Sequence, residues 1–310
     1  MKTRRPIFLV GSGRSGTTLL QSMLMRVDGL CFSSETQFCA RTLRRAKIFG
    51  PLEDQVGFER TLRSVLDTAA HNELDVDSVA LEAELRDAPR TYPNLFATLL
   101  AHLQVRLPDC RRLGEKSPNH LLHVDWLLEH FPDAQVIAIV RDGRDVAISQ
   151  REAFAEPLLS AAIRWRHCQR LVRRYARIHS PERYTSVSYE ALVTEPEREL
   201  RRLCDFLGET FTAGLLEHHK RERSGFAERE THKQRTLEPV TTSRIARYRG
   251  VLARRELALF QLVAGGELRA HGYALEPIPA LLGLPGLLRD LPGVLLRRRR
   301  YFEKVRDTYR

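Results

Sequence analysis

Ile7-Phe8-Leu9-Val10 is a short unbroken apolar run stopped by Gly11, and Thr18 to Leu24 behind it carries apolar positions at helical spacing. That pattern predicts strand, glycine loop, helix. A second unit recurs at Ala134 to Val140, a run reading as a buried strand, preceded by the helix-like Leu121 to Phe131 and followed by a helix from about Asp142. Tyr184 to Ser188 predicts a further strand, and the short polar stretch Arg111 to Lys116 a fourth, whose carboxyl end would deliver Lys116 to the sheet edge. Between Pro51 and Pro108, Phe58, Leu62, Val65 and Leu66, then Leu95, Leu99 and Leu103, repeat every three to four positions, so residues 51–108 read as a helical insertion over the sheet. Strands alternating with helices predict an α/β fold of three α/β/α layers around a mainly parallel sheet.

Composition narrows the class without naming a partner. The 310 residues carry 50 Lys+Arg against 39 Asp+Glu, a net charge of +11, with 43% hydrophobic and 29% charged residues, which excludes disordered, collagen-like and coiled-coil chains. A chain of this length buries roughly three quarters of its unfolded surface without disulfides or metal. Residues 1–275 read as one domain and 276–310 as a basic, proline-rich tail. Only Ile7 to Val10 is apolar behind Met1-Lys2-Thr3-Arg4-Arg5, so no signal peptide is expected. Leu275 to Leu296 is cut by Pro277, Pro279, Pro285 and Pro292 and carries Arg289 and Asp290, so it cannot span a bilayer as a regular helix. The cysteines Cys31, Cys39, Cys110, Cys168 and Cys204 are odd in number and form no C-x-x-C pair, against a disulfide framework or zinc site and in favour of a cytoplasmic home. The positive excess suits nucleic acid, anionic lipid or a polyanionic small molecule. Arg164 to Arg177 and Arg297 to Arg300 are expected to form solvated faces.

The chemistry starts at Gly11-Ser12-Gly13-Arg14-Ser15-Gly16-Thr17-Thr18. It fits G-x-G-x-x-G and also has the length of a Walker A loop, but Thr17 stands where that loop needs its lysine, against a nucleoside triphosphatase. An NAD(P)-dependent oxidoreductase would need an acid about twenty positions on. Asp28-Gly29 reads as a turn and Glu35 lies in Ser33-Ser34-Glu35-Thr36, a helix N-cap pattern. Every reading shares one content: backbone N–H groups bared by glycine at a helix N-terminus and aimed at an anion. A second anion grip follows the buried strand, where Arg141 of Val140-Arg141-Asp142-Gly143-Arg144-Asp145 offers a planar donor fork; its alternative is an ion pair with Asp142 or Asp145.

These motifs resemble a family. Arg14-Ser15-Gly16-Thr17-Thr18-Leu19-Leu20 is similar to the 5′-phosphosulfate loop of sulfotransferases that use 3′-phosphoadenosine 5′-phosphosulfate (PAPS), nearest to tyrosylprotein sulfotransferases and their bacterial relatives. Val140 to Ser149 resembles the family's 3′-phosphate motif, with Arg141 and Ser149 at its two phosphate-holding positions. The resemblance continues through Gly114-Glu115-Lys116-Ser117-Pro118, Ser188-Tyr189-Glu190-Ala191-Leu192 and Asp205-Phe206-Leu207-Gly208. It implies a P-loop-NTPase-like fold, PAPS as co-substrate with adenosine 3′,5′-bisphosphate (PAP) as product, no metal, and a nucleotide site of Gly13, Arg14, Ser15, Gly16, Thr17, Thr18, Arg141, Ser149 and Tyr189, with Ser243 and Arg247 as weaker contacts from a closing segment. Tyr189 also reads as a strand-end packing residue.

In-line sulfuryl transfer needs a base for the acceptor and a cation at the leaving oxygen. The resemblance places Glu35 as base and Lys116, aided by Arg14, as the cation. The plainer readings are a helix-start acid for Glu35, a partner of Glu115 for Lys116, and packing or surface roles for His120 and His123. Where tyrosylprotein enzymes carry Glu-Glu-Thr-Arg this chain has Ser34-Glu35-Thr36-Gln37, so the acceptor is left open among small molecule, glycan, lipid and peptide; nucleic acid is not expected. The rival class is a non-catalytic nucleotide or polyanion binder. Leu281-Leu282, Leu287-Leu288 and Val294-Leu295-Leu296 beside Arg297 to Arg300 make the tail a candidate for peripheral contact at an inner, anionic membrane surface, with packing on the domain as the alternative.

Overall fold

Ile7–Gly11 (β1), Leu30–Phe32 (β2), Arg112–Lys116 (β3), Gln135–Val140 (β4) and Tyr184–Ser188 (β5) form one sheet in the order β2-β3-β1-β4-β5, every pairing parallel. The structure, a computed structural model, describes residues 5–107, 109–220, 238–293 and 295. Met1 to Arg4 and Arg297 to Arg300 lie outside them.

The alternation of side chains along β1 and β4 divides the core. Phe8, Val10, Val136 and Ala138 face one layer, while Ile7, Leu9, Ile137 and Ile139 face the other. The first layer includes the insertion. Its helices Gln55–His71, Ser78–Asp87 and Tyr92–Arg106 start at Asp54, Asp77 and Thr91, whose side chains cap first-turn N–H groups. They press Phe58, Leu62, Val65, Leu81, Leu95 and Leu99 onto the sheet. Leu20 and Leu24 of the Thr17–Leu24 helix join Leu200 and Leu203 on the opposite face. The three expected layers are present.

β3 is the polar strand that periodicity supports least, yet it sits between β2 and β1 with every residue buried. Its charges survive there because each has partners. Arg112 donates to the carbonyls of Arg5 (2.7 Å) and Leu207 (2.8 Å) and to Gln135 Oε1 (2.5 Å). β2, three residues at the sheet edge, is too short for a period and was not expected. The Leu121 to Phe131 region is also finer than expected: Pro118–His123 forms a 3₁₀ turn and the α-helix is Val124–His130. On the Leu158–Ile178 helix, Arg170 and Arg173 pair with Glu267 and Arg174 with Asp125, so this basic face is laced by surface ion pairs each worth about 0–1 kcal/mol.

Asp142 caps the Gly143–Phe154 helix by accepting from Arg144 N (2.9 Å). Gly143 permits that start: a Cβ there would lie 2.4 Å from Trp165 and 2.7 Å from Phe260. Gly143→Ala is therefore expected to destabilise the fold by about 1–3 kcal/mol, the usual cost of overpacking, read as a lower urea midpoint at unchanged slope. The described part of the tail packs in places on the Arg254–Ala270 helix, where Gly283 comes so close that a Cβ would meet Leu259 N at 2.7 Å. Leu281 and Leu288 stay 74% and 70% exposed.

Candidate active site

From β1 the chain passes to the β2–β3 side of the sheet, and from β4 it passes to β5, so the connections diverge and leave a crevice between the carboxyl ends of β1 and β4. Ligands of open parallel sheets bind at such a point. The strand ends bring the predicted residues to one rim. β1 runs into the glycine loop, β4 into Arg141, β5 into Tyr189, and β3 ends on Lys116, whose Cα is in register with Leu9. Glu35 stands three residues beyond β2. That same order argues against the dinucleotide reading, since β3 separates β2 from β1 and carries the Glu35 loop away from the glycine loop's own neighbour.

Within the loop, Arg14 and Gly16 adopt left-handed backbone (φ 74° and 99°), a conformation that costs a non-glycine residue about 1–3 kcal/mol and gathers at functional sites. Gly16 has no substitute. A Cβ on it would lie 2.5 Å from the Tyr189 ring. The Thr17–Leu24 helix begins there without a side-chain cap, leaving its first-turn N–H groups for an anion. Gln150 Nε2 donates to Gly13 O (2.8 Å), tying the loop to the Gly143–Phe154 helix. Gln150 was not singled out by sequence, though its place beside Ser149 was the available signal.

Arg141 makes no ion pair with Asp142 or Asp145. Arg144 takes Asp142 instead (2.7 Å), and Asp145, its pKa raised by burial, accepts from Tyr248 N (2.9 Å). The Arg141 guanidinium lies 4.3 Å over the Tyr189 ring and donates to Arg14 O (3.2 Å) and Arg244 O (2.8 Å). Arg14 Nε donates to Ser149 Oγ (3.1 Å). The two predicted anion grips are thus in direct contact. Tyr189 is buried between Gly16 and Arg141, and burial raises its pKa. Among the described residues, Arg141 Nε and the fully buried Ser15 Oγ have no hydrogen-bond partner. Orphaned polar atoms are costly unless a ligand satisfies them, and a phosphate oxygen is the complement of both. Ser243 is exposed, and Arg247 pairs with Glu152 (2.7 Å). From this segment it is the Arg244 carbonyl that reaches Arg141.

Lys116 pairs with Glu35 and not with Glu115: its Nζ lies 2.5 Å from Glu35 Oε1, with the Lys116 side chain 1% and the Glu35 side chain 16% exposed. Gln37 Nε2 donates to the other Glu35 oxygen, and Asn72 Nδ2 to the Glu35 carbonyl (2.8 Å). Glu35 is not a helix cap; the short Phe38–Arg41 helix starts after Gln37, which is left-handed at φ 52°. His120 and His123 are both buried, and burial, with His120 and Arg44 adding to it, pushes the His123 pKa down to about 3.

Beside Asn72 opens a groove of about 770 Å³, lined by Arg41, Arg45, Arg60, Arg63, Asp67 and His71 among others. Among the described residues none of the four arginines pairs with a carboxylate. Sequence reading placed the insertion here but did not gather these charges, because they come from two segments that meet only in the fold.

The model of the "Sulfotransferase family" matches residues 6–213. The protein-tyrosine sulfotransferase of Drosophila melanogaster is 25% identical over 221 residues, covering 69% of this chain and 40% of that protein. Protein-tyrosine sulfotransferase 1 of Danio rerio is 25% identical over 223 residues, covering 69% and 56%. The chain therefore spans about half the length of the curated relatives it matches. Among solved structures, the sulfotransferase domain of the Synechococcus PCC 7002 olefin synthase superposes with a TM-score of 0.61 at 24% identity, covering 89% of this chain and 98% of that one, a likeness of fold.

Proposed function

Because the chain belongs to the sulfotransferase family, we propose that it moves a sulfuryl group from PAPS to a hydroxyl acceptor at the rim between β1 and β4. The observation that carries this reading is the contact of the glycine loop with Arg141, Ser149 and Tyr189, with a Glu35–Lys116 pair at the end of the neighbouring strand β3. PAPS supplies the sulfuryl group and a 5′-phosphate leaving group. Gly13, Arg14, Ser15, Gly16, Thr17 and Thr18 hold that phosphate with backbone and hydroxyl donors, while Arg141 and Ser149 hold the 3′-phosphate and Tyr189 walls the space between. Ser243 and Arg247 lie on the segment that covers this end. Glu35 accepts the acceptor's proton as the new sulfur–oxygen bond forms. Lys116 and Arg14 neutralise the phosphate oxygen as the old bond breaks.

A nucleotide binder without turnover would have no use for a carboxylate and an ammonium held together at 16% and 1% exposure. For the acceptor, the arginine-lined groove, whose His71 adjoins the Asn72 that holds the Glu35 carbonyl, favours a peptide or other chain bearing anionic groups near its hydroxyl, and the helical insertion forms one wall. Transfer from ³⁵S-labelled PAPS is expected to favour a tyrosine peptide flanked by Asp and Glu over one flanked by Ser and Gly. Arg41→Glu with Arg63→Glu should raise KM for the acidic peptide roughly tenfold or more, about 1.4 kcal/mol, at unchanged PAP affinity. Equal use of both peptides by the unmodified chain would remove the groove from acceptor choice.

The exposed Leu281 and Leu288 support a second role for the tail, peripheral contact with an anionic membrane. No helix among the described residues is long and apolar enough to cross a membrane. Flotation with anionic vesicles should be lost when residues 277–310 are removed.

A further inference from the structure

We propose that Glu115, Ser117 and His120 form a buried positioning unit, which aims the Glu35 carboxylate at Lys116 by holding the backbone of the loop that carries it. This rests on the reading of Glu35 and Lys116 as the reacting pair. Glu115 is fully buried, and its carboxylate hydrogen-bonds not to either member of that pair but to Thr36 and Ser117, and lies beside His120. Its Oε1 accepts from Thr36 N (3.1 Å), Thr36 Oγ1 (2.8 Å) and Ser117 Oγ (2.5 Å). Ser117 Oγ, its one proton given to Glu115, accepts from Gln37 N (3.0 Å). His120 Nε2 lies 3.2 Å from Cys39 N, and its Nδ1 2.9 Å from Glu115 Oε2.

Backbone N–H groups of Thr36, Gln37 and Cys39 are thereby gripped by one carboxylate-centred cluster, while Asn72 holds the Glu35 carbonyl from the other side. The cluster thus holds the Glu35 loop through the backbone of Thr36, Gln37 and Cys39, with Asn72 on the Glu35 carbonyl. The grip also explains how Gln37 keeps its left-handed backbone, which no glycine relieves. A carboxylate is an expensive residue for a buried strand end if packing were its only task.

Glu115→Gln and Ser117→Ala test the unit. In crystals of each variant the Glu35–Lys116 contact should open beyond about 4 Å, the limit of an ion pair. PAP affinity should stay within about twofold, and PAP release from PAPS with water as acceptor should fall roughly tenfold or more. In a Glu35→Gln background the same changes should cause no further loss, because they act through Glu35. An intact Glu35–Lys116 contact in the variants, or an additive loss in that background, would overturn the proposal. Unchanged PAP release by Glu35→Gln alone would instead overturn the catalytic reading, and the crystal comparison still decides the positioning. Should Glu115→Gln not fold, Ser117→Ala carries the test, since it removes only a hydroxyl.

Discussion

Glu35→Gln is expected to lower sulfuryl transfer about 10²–10⁴-fold, the range for losing a general base, with PAP affinity nearly unchanged. Glutamine keeps the size of the side chain and an oxygen for Lys116 Nζ, which at 1% exposure cannot be left without a partner. It removes only the capacity to take a proton. Glu35→Ala is the poorer test, because it removes a charged partner from a buried ammonium and mixes catalysis with stability. Single-turnover measurement with a saturating acceptor isolates the chemical step. Near wild-type turnover would show that the acceptor's proton leaves by another route.

Arg141→Ala should weaken PAP binding by about 1.5–3 kcal/mol, or roughly 10–150-fold, by calorimetry. The estimate takes only the charge-assisted bond to phosphate, yet the guanidinium also ties Arg14 O and Arg244 O and stacks on Tyr189. Losing those ties loosens the glycine loop as well, so the upper end is expected. Arg141→Lys should recover little, since a point charge on a flexible stem cannot span two carbonyls and a phosphate from one plane. Unchanged affinity in both variants would take Arg141 out of the nucleotide site.

The parts legible in sequence were those with a strong local signal. β1 and β4 lie where apolar runs predict them and β5 at its expected stretch, while Glu35, Lys116 and Ser149 carry no local signal and rest as candidates on the family resemblance. β3 was readable only as a polar stretch between a helix and a proline turn, because its burial depends on partners such as Gln135 and Leu207, distant in sequence. β2 was missed because three edge residues carry no period. Partner choice is the least legible: the sequence leaves open a pairing of Lys116 with Glu115 and of Arg141 with Asp142 or Asp145, and only strand direction and backbone path reject them. The arginines of the groove belong to this class. Arg41 and Arg45 precede the insertion while Arg60 and Arg63 lie in its first helix.

The placement of the insertion between β2 and β3 has an outcome for how such a chain can diverge. On the proposed reading, the residues that hold the two phosphates lie before residue 25 or after residue 140, Lys116 ends β3, and the groove draws its lining from residues 41–71. Exchange of that groove-lining stretch for another of similar span, with Glu35 kept, would change the acceptor and leave the grasp of the nucleotide intact. Selection can thus explore new acceptors without rebuilding the machinery that cleaves the donor.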